Sequence, residues 1–499
     1  MFDNDKLNVI LGGPGCGKTT RLLAIVADEI ARGVLPGRIA FVTFTRAAAE
    51  EARNRASNLF SLDPKNDLPW FRTIHSLAYH SLGMSHDEVL GPRDWKLFSR
   101  IVKEPMKGTY EVDTALIPTM ADAVRNIGDS MLRVVDYGST TCQSLEDAWH
   151  DLGDPIEWFR LKRFADTLDA YKREMGKVDF TDMLHLYVAH NSPLPIDVAV
   201  IDEAQDLTRA QWRMVEHAFS QCSRVYVGGD DDQAIYRWAG ADVEYFLGLK
   251  GKHEILPTSH RLPASIFRLA QGVVNRIEHR FPKDYQPSER PGSVDYHRSA
   301  DSVDLSSGNW LLLARNGYML SNYEGLCESA GVAYRTRAGS SVNPEHIVAI
   351  KTWEGLRSGK LQSALAPELR LVAKFLGVPK PALRETQKYT KDNFPEWPWE
   401  RIWHVSMAEI PRRVRDYYVA CLRRGERLTQ EPRVRIETIH GVKGAEADHV
   451  VLSTDISAKT QYTADLNPDH EHRVFYVGVT RAKHSLHIIE PQTTVAYEL

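Results

Sequence analysis

The stretch LNVILGGPGCGKTT, residues 7–20, decides the fold of this 499-residue chain. It opens with the apolar run 7–11 and continues into a glycine-rich turn, after which residues 19–30 repeat apolar side chains at helical spacing. A buried strand, a glycine-rich turn and a helix in this order are typical of a parallel sheet covered by helices. We therefore expect an α/β fold organised around this turn.

The glycine-rich turn matches the pattern G-x-x-x-x-G-K-[ST] in full, between a strand and a helix as the pattern requires. Its glycines let the backbone wrap around a phosphate, and the amides that start the helix attract the negative charge. Lys18 is placed to reach the outer phosphates, and the hydroxyl of Thr19 to ligate Mg²⁺. The sequence thus predicts a nucleotide site formed by Gly12, Gly13, Pro14, Gly15, Cys16, Gly17, Lys18, Thr19, Thr20 and Arg21.

A second apolar run, 196–201, ends in the acidic pair Asp202 and Glu203. Such a pair places one carboxylate beside a metal ion and the next beside the water that attacks the γ-phosphate. An acidic turn at the end of a strand is common by itself, but next to a phosphate-binding turn the hydrolytic interpretation is favoured. A simple nucleotide kinase is disfavoured, because only hydrolysis needs a carboxylate that activates water.

The run 224–227 leads into GGDDDQAIYRW, residues 228–238. Three successive carboxylates beside a phosphate would repel it unless they face metal, water or other protein groups. Gln233 can both donate and accept hydrogen bonds and is a candidate sensor of the γ-phosphate. Tyr236 and Trp238 flank an arginine and are candidates to stack on bases, although a tryptophan in this setting more often belongs to the core.

Composition and charge set the class of protein without identifying a ligand. Hydrophobic residues make up 43% and charged residues 26%, as in ordinary globular proteins, and no apolar run approaches the roughly 18 residues of a membrane span. Lys and Arg total 62 against 66 Asp and Glu, so any site for a polyanion must be local. Five scattered cysteines without a CxxC pair predict neither a zinc site nor a disulfide framework. We expect a cytoplasmic protein that does not associate with membranes.

Further apolar runs predict two α/β cores. They lie at residues 38–44, 196–201 and 224–227 in the first half, and at residues 310–314, 434–438, 449–452 and 485–489 in the second. Two intervening segments, about 84–195 and 340–431, have helical spacing and lack long β-branched runs. Both are predicted to be mostly helical insertions.

Nine segments in order make the chain resemble the UvrD/Rep/PcrA group of superfamily 1 helicases. They are GGPGCGKTT (12–20), VTFTRAAAEEAR (42–53), TIHSLA (73–78), VDFTDML (178–184), VIDEAQD (200–206), GGDDDQAIYRWAGAD (228–242), SHRLP (259–263), ETIHGVKGAEAD (437–448) and FYVGVTRAK (475–483). Any one of them could arise by coincidence, but nine in the family order could hardly do so.

The resemblance implies two RecA-like P-loop motor domains, with ATP in the cleft between them and one mostly helical insertion in each. The implied units are residues 1–83 plus 196–255 (first motor domain), 84–195 (first insertion), 256–339 plus 432–499 (second motor domain) and 340–431 (second insertion, short for the family). In the first motor domain, Asp202 would hold the metal, Glu203 would activate water, and Gln233 would couple the γ-phosphate to the DNA track.

Residues of the second motor domain would complete the nucleotide site. The resemblance assigns Arg261 and Arg481 as arginine fingers that reach across the cleft, and Glu446 as a contact to the ribose. Arginines on a separate domain favour closure of the cleft on a triphosphate, so hydrolysis would alternately close and open the two halves. His260 stands where the family has the tyrosine that stacks on adenine, and residues 1–11 contain no equivalent of the family's upstream adenine-reading glutamine.

The resemblance also places single-stranded DNA across both motor domains. Phe44, Tyr236 and Trp238 would stack on bases, while Thr43, Thr73, His75 and His440 would hydrogen-bond to sugar or phosphate. The segment 401–435 has nine arginines against four acidic residues and fits either a grip on DNA or a solvated helical face.

We therefore expect an ATP- and Mg²⁺-dependent single-stranded DNA translocase and helicase, with a 3′-to-5′ polarity that rests on the resemblance alone. Its substrates would be single-stranded and tailed duplex DNA, and its partners replication or repair proteins in a bacterial or phage-infected cell. The alternative is a DNA-stimulated motor or adaptor that unwinds poorly and acts with a partner such as a nuclease. The short second insertion and Ala239, which replaces the family's arginine, motivate it.

Overall fold

The computed structural model of the chain describes residues 2–106, 108 and 126–499. Residue 107 and residues 109–125 belong to the predicted first insertion and lie outside the described residues. The strands are β1 (Leu7–Leu11), β2 (Ile39–Thr43), β3 (Phe71–Thr73), β4 (Val198–Ile201), β5 (Arg224–Gly229), β6 (Lys252–Ile255), β7 (Thr258–Pro263), β8 (Gln286–Ser288), β9 (Ser293–His297), β10 (Trp310–Ala314), β11 (Tyr334–Thr336), β12 (Gly339–Ser340), β13 (Ala364–Leu365), β14 (Lys388–Tyr389), β15 (Val434–Thr438), β16 (Ala447–Ser453) and β17 (Ala482–Ile489).

Helices connect and cover these strands. They are α1 (Lys18–Ala31), α2 (Arg46–Phe60), α3 (Ile74–Ser81), α4 (Pro92–Val102), α5 (Ile127–Thr141), α6 (Leu145–Leu152), α7 (Trp158–Met175), α8 (Phe180–His190), α9 (Arg209–Ala218), α10 (Val243–Leu247), α11 (Ala264–Val274), α12 (Leu320–Ala330), α13 (Pro344–Ser358), α14 (Ala366–Leu376), α15 (Trp403–Ser406), α16 (Arg412–Arg423), α17 (Ala458–Leu466) and α18 (Pro468–Val479). In the described residues, none of them is long and apolar enough to cross a bilayer.

The first half of the chain forms a six-stranded sheet in the order β3-β2-β4-β5-β1-β6, and every neighbouring pair is parallel. The carboxyl ends of parallel strands meet at one edge of the sheet, which is where α/β proteins bind ligands. The turns after β1, β4 and β5 therefore come together there. These are the glycine-rich turn, the Asp202–Glu203 pair and the 230–233 turn.

The second half forms a seven-stranded sheet in the order β12-β11-β15-β10-β16-β17-β9. Its pairs are parallel except for β11 with β12. The predicted apolar runs coincide with β10, β15, β16 and β17. The short parallel pair of β7 and β8 lies outside both sheets.

Helices cover both faces of each sheet, so the predicted α/β class is confirmed. On one face of the first sheet, Leu22 and Val26 of α1 pack with strand residues such as Phe41, and on the other face Met214 of α9 packs near Ile201. The second sheet likewise has a buried core on each face.

The two helical segments differ in how they pack. Helices α4 to α7 enclose a separate core that includes Trp95, Phe98 and Phe164. In contrast, Trp353 of α13 and Leu369 of α14 share one core with Leu312 of the second sheet. The second segment also contains the antiparallel pair β13–β14. The second segment is thus a layer on its sheet, whereas helices α4 to α7 of the first segment have a core of their own. Helix α8, which ends the first segment, packs in the core of the first sheet.

Candidate functional site

The glycine-rich turn is formed as its sequence predicts. Gly15 and Gly17 have φ values of 74° and 81°, in the left-handed region that favours glycine. Among the residues that the structure describes, no side chain caps the start of α1 at Gly17. The Nζ of Lys18 donates to the carbonyl oxygens of Gly12 (2.8 Å) and Gly13 (3.3 Å). The ammonium and the amino end of the helix concentrate positive charge over this loop, which suits a phosphate group.

The last two residues of the predicted nucleotide set have protein partners. Arg21 forms a bidentate ion pair with Glu254 of β6, with N···O distances of 2.7 and 3.0 Å. The hydroxyl of Thr20 accepts a hydrogen bond from Arg55 of α2 (3.0 Å). Both side chains thus contact neighbouring elements of the first half.

The turn after β4 brings Asp202 onto the start of α1. The Thr19 hydroxyl donates to the Oδ2 of Asp202 at 2.7 Å. Burial and the neighbouring charge of Glu203 raise the pKa of Asp202 to about 6. No group of three or more His, Cys, Asp or Glu side chains suited to a metal lies within the described residues. A hydroxyl beside one carboxylate fits Mg²⁺, which keeps several waters and binds substrate phosphates.

Glu203 adopts an unusual backbone conformation. Its φ of 54° is left-handed, which costs about 1–3 kcal/mol for a residue with a side chain. The side-chain Nε2 of Gln205 donates to the Oε2 of Glu203 at 2.5 Å. The Oε1 of Gln205 accepts from the backbone amide of Asp230 at 3.0 Å. Gln205 therefore links the turn after β4 to the turn after β5 and fixes the direction of the Glu203 carboxylate.

Gln233 is one of the residues at which the two halves of the chain meet. Its Nε2 donates to Asp230 at 2.6 Å, and its Oε1 accepts from the guanidinium of Arg481 at 2.6 Å. The Nζ of Lys443 donates to the Gln233 carbonyl oxygen and to Asp206, both at 2.5 Å. The side chain and the backbone of Gln233 are thus both held by residues of the second half.

Arg481 lies in the turn between α18 and β17 and is 1% exposed. Burial and the neighbouring charge of Arg261 lower the pKa of its guanidinium to about 9. Its Nε donates to the carbonyl oxygen of Val477 at 2.9 Å. The structure therefore aims a buried cation of the second half at the edge of the first sheet.

The strand β7 lies directly against the glycine-rich turn. The His260 backbone amide donates to the Gly15 carbonyl at 2.9 Å, and a Cβ added at Gly15 would stand 2.4 Å from the Cβ of Arg261. Arg261 in turn pairs with Glu446 at 2.5 Å. Two predicted nucleotide contacts of the second half, Arg261 and Glu446, thus meet beside the turn, while the His260 side chain is exposed.

Three further residues surround the site and were absent from the sequence-based set. Lys283 contacts the carboxylates of residues 230–232, and Lys443 holds Gln233. The ring of Tyr285 covers the glycine-rich turn, because a Cβ added at Gly13 would stand 2.2 Å from it. The hydroxyl of Tyr285 is hydrogen-bonded to that of Tyr476 at 2.8 Å. The sequence left metal, water or other protein groups open as neighbours of the three carboxylates, and the structure places Lys283 there.

The residues predicted to contact DNA form two connected groups. Thr73, His75 and Phe44 line a cavity of about 850 Å³ beside the first sheet. Phe44 also stacks on Tyr236, with ring centroids 6.1 Å apart. The Tyr236 hydroxyl donates to the His440 carbonyl at 3.3 Å. Phe44 therefore connects the cavity to the second group, which is formed by Tyr236, Trp238 and His440.

Exposure differs among these candidates. Tyr236 is 4% exposed and packs in the core of the second half, so its ring faces protein in this structure. Phe44 and Trp238 are half-buried. The hydroxyl of Thr43 and both ring nitrogens of His440 are buried and form no hydrogen bond within the described residues.

The cavity is rich in cationic side chains. Its described lining residues include the guanidiniums of Arg46, Arg53 and Arg72 and a single carboxylate, that of Glu50. Burial and the neighbouring charge of Arg53 lower the pKa of Arg72. Burial also lowers the pKa of His75 to about 4, so that its ring is neutral at physiological pH. Two neighbouring guanidiniums with little opposing charge suit a polyanion.

The arginine-rich segment 401–435 is mostly neutralised by the chain itself. Arg413 pairs with Glu328, Arg424 with Asp304 at 3.5 Å, and Arg433 with Glu426 at 2.6 Å. These ion pairs support the interpretation of this segment as a solvated helical face.

Two family models and several known proteins match this chain. The family model of the UvrD/REP helicase N-terminal domain matches residues 3–254, and that of the UvrD-like helicase C-terminal domain matches residues 419–493. The chain is similar to ATP-dependent DNA helicase PcrA of Leuconostoc citreum, with 25% identity over 65% of this chain and 43% of the relative. DNA helicase II of Haemophilus influenzae is 26% identical, over 68% of this chain and 48% of the relative. ATP-dependent DNA helicase PcrA of Bacillus subtilis is 24% identical, over 68% of this chain and 47% of the relative. The chain spans less than half the length of these relatives.

Proposed function

The chain belongs to the UvrD/REP helicase family, and from this premise we propose that it is an ATP-dependent motor that moves 3′ to 5′ along single-stranded DNA and unwinds duplexes. Its motor domains would be residues 1–83 plus 196–255 and residues 256–339 plus 432–499, each of which contains one of the two large sheets. The helical segments 84–195 and 340–431 would be the insertions.

One observation carries this proposal. Two arginines of the second half, Arg261 and Arg481, lie at the two loops of the first half that would surround a triphosphate, beside Gly15 and on Gln233 respectively. Arginines supplied across a domain interface stabilise the charge that develops during phosphoryl transfer. A nucleotide at this interface would therefore bind both halves, and its hydrolysis would change their relative position.

The residues of the first half have separate tasks in this reaction. A bound triphosphate would replace the carbonyl oxygens of Gly12 and Gly13 as the partners of Lys18. Thr19 and Asp202 would hold Mg²⁺, which neutralises phosphate charge when bound. Glu203, whose carboxylate is fixed by Gln205, would accept a proton from the attacking water.

Gln233 and Arg481 would couple hydrolysis to movement. In the structure they bind each other at 2.6 Å, so Arg481 must leave or share Gln233 when it contacts a γ-phosphate. Gln233 also lies three residues before Tyr236, which stacks on Phe44 in the group predicted to contact DNA. A change at the γ-phosphate would thus reach the DNA path through one short turn.

The path of the DNA is supported by unpaired polar atoms and by charge. Unpaired buried polar groups are rare in folded proteins, so those of Thr43 and His440 are expected to find partners in a ligand. The cavity beside Phe44 adds the charges of Arg53 and Arg72. A nucleic-acid backbone would meet both requirements, with phosphates at the arginines and bases on the half-buried rings.

Replacing Arg72 by alanine is expected to weaken binding of single-stranded DNA uniformly across sequences. Loss of one phosphate contact should reduce the slope of log affinity against log salt by about 0.7. Fluorescence anisotropy with labelled oligonucleotides at several salt concentrations measures both quantities. Arg38→Ala is the matched control, because Arg38 carries the same charge. It directly precedes β2, at the end of that strand away from Phe44, and pairs with Asp197 at 2.6 Å. Equal salt slopes for Arg72→Ala and the wild type would remove the cavity from the DNA path.

Tailed duplexes test the polarity and the unwinding activity together. A duplex with a 3′ single-stranded tail should be separated in the presence of ATP and Mg²⁺, and its 5′-tailed counterpart should not. The opposite preference would contradict the proposed polarity. DNA-stimulated hydrolysis without release of either strand, restored by a partner such as a nuclease, would indicate the alternative of a translocating motor or adaptor.

A further inference from the structure

A fully buried lysine forms ion pairs with all three carboxylates that follow β5. The Nζ of Lys283 lies 3.1 Å from Asp230, 2.5 Å from Asp231 and 2.8 Å from Asp232, and all four side chains are 0% exposed. Lys283 lies between α11 and β8, whereas the aspartates belong to the edge of the first sheet. The cluster therefore joins the nucleotide edge of the first half to the part of the chain that follows it.

Other groups complete the cluster without replacing Lys283. Arg280 makes a bidentate pair with Asp232, at 2.8 and 2.7 Å. The backbone amide of Phe281 donates to Asp231 at 2.9 Å, and Arg473 donates to the carbonyl oxygen of Asp231 at 2.9 Å. Within the described residues, Lys283 is the one cation that forms an ion pair with Asp230.

The ionisation of Asp230 depends on these cations. Burial raises its pKa, but the charges of Lys283 and Lys18 outweigh this effect, so the pKa lies below its usual value. Burial also raises the pKa of Asp231. Without Lys283, three adjacent carboxylates would share Arg280, and at least one of them would be expected to take up a proton.

The state of Asp230 decides which way the amide of Gln233 points. Asp230 accepts from the Nε2 of Gln233 at 2.6 Å, and this turns the Oε1 toward the guanidinium of Arg481, also at 2.6 Å. A flipped amide would present its own donor to Arg481, which has only donors. A fixed, ionised carboxylate at Asp230 therefore selects the orientation that Arg481 can bind.

We infer that Lys283 is a positioning residue for hydrolysis: by holding Asp230, it sets the orientation in which Gln233 engages Arg481. This inference rests on the proposed function and adds to it a residue that touches neither the glycine-rich turn nor the acidic pair. The effect is expected in the rate of hydrolysis, because the groups that bind the nucleotide are left in place.

The test measures steady-state ATP hydrolysis in saturating single-stranded DNA for Lys283→Met, which removes the charge and keeps most of the volume. We expect kcat to fall about tenfold or more, since a charge-assisted network is lost, while the KM for ATP changes by less than about threefold. Asp231→Asn is then added to Lys283→Met. It restores the net charge of the cluster and leaves Asp230 as the acceptor for Gln233, so kcat should recover by at least about threefold.

Arg224→Met is the matched control for the loss of a cation beside a buried carboxylate. Arg224 pairs with the fully buried Glu29 at 2.6 Å, at the opposite end of β5 from the three aspartates. The Tm of Arg224→Met should fall, while the kcat of this variant stays within about twofold of the wild type. If Lys283→Met does not fold, Lys283→Gln takes its place. The kcat of Lys283→Gln combined with Asp231→Asn is then expected to exceed that of Lys283→Gln alone by at least about threefold.

Two results would overturn the inference. The first is folded Lys283→Met with wild-type kcat, and the second is a loss of kcat that Asp231→Asn does not relieve, since this would indicate a purely structural role. Failure of the proposed function looks different, because the wild-type chain itself would then show no DNA-dependent hydrolysis.

Discussion

Glu203→Gln is expected to bind ATP as the wild type does and to hydrolyse it roughly 10²–10⁴-fold more slowly. Glutamine has nearly the same shape and can keep a hydrogen bond to Gln205, but it cannot accept the proton of the attacking water. The backbone of Glu203 is already left-handed, so a substitution of equal size leaves that conformation unchanged. Binding of a fluorescent nucleotide and steady-state release of phosphate measure the two effects separately.

The control for this substitution is Glu345→Gln. Glu345 is an exposed carboxylate at the start of α13 that pairs with Lys374 at 2.6 Å, far along the chain from the nucleotide loops. It should hydrolyse ATP at the wild-type rate. Turnover by Glu203→Gln within about twofold of that control would assign the proton transfer to another group.

Arg481→Ala is expected to reduce the hydrolysis of ATP by roughly 10³-fold or more. The substitution removes the cation that the second half directs at Gln233, while the glycine-rich turn that is proposed to bind the phosphates is untouched. Arg481→Lys keeps a charge but loses the forked donor geometry, so only a small part of the rate should return.

Loss of a buried arginine also affects folding, and this must be measured in parallel. Arg276→Ala provides a comparison in the second half, since Arg276 donates to the Glu498 carbonyl at 2.6 Å and covers the ring of Tyr497. Both variants are expected to lose stability, but only Arg481→Ala should lose turnover. A folded Arg481→Ala enzyme with wild-type turnover would remove Arg481 from the site.

The strands that the sequence predicts are those buried on both faces. β1, β4 and β10 are continuous apolar runs because helices cover both sides of a parallel sheet. The edge strands β6 and β9 lack such runs, since most of their residues are exposed or half-buried. Edge strands therefore escape a search for apolar runs.

The sequence also does not predict against which part of the chain the second helical segment packs. Helical spacing in residues 340–431 predicts helices correctly, but it does not say against which partner their apolar faces pack. In the structure, Trp353 is fully buried in the same core as Leu312 of the second sheet. Only tertiary contacts distinguish this layer from a separate insertion.

Some residues of the candidate site are identified by a local sequence motif, and others only by the contacts of the folded chain. Lys18, Thr19 and Asp202 belong to short motifs whose spacing carries the chemistry, and the fold brings them together. Lys283 has no such motif around it, and its partners lie about fifty residues earlier in the chain. The three adjacent aspartates left metal, water or other protein groups open as their neighbours, and only the fold identifies Lys283.

The most direct test measures ATP hydrolysis by the purified chain with and without single-stranded DNA. Nucleotide and DNA are proposed to meet at one interface that joins Gln233, Arg481 and the Phe44 cavity, so single-stranded DNA should increase the rate of turnover. Glu203→Gln should reduce both the basal and the stimulated rates by roughly 10²–10⁴-fold. A wild-type rate that single-stranded DNA leaves unchanged would contradict a motor that couples ATP to DNA.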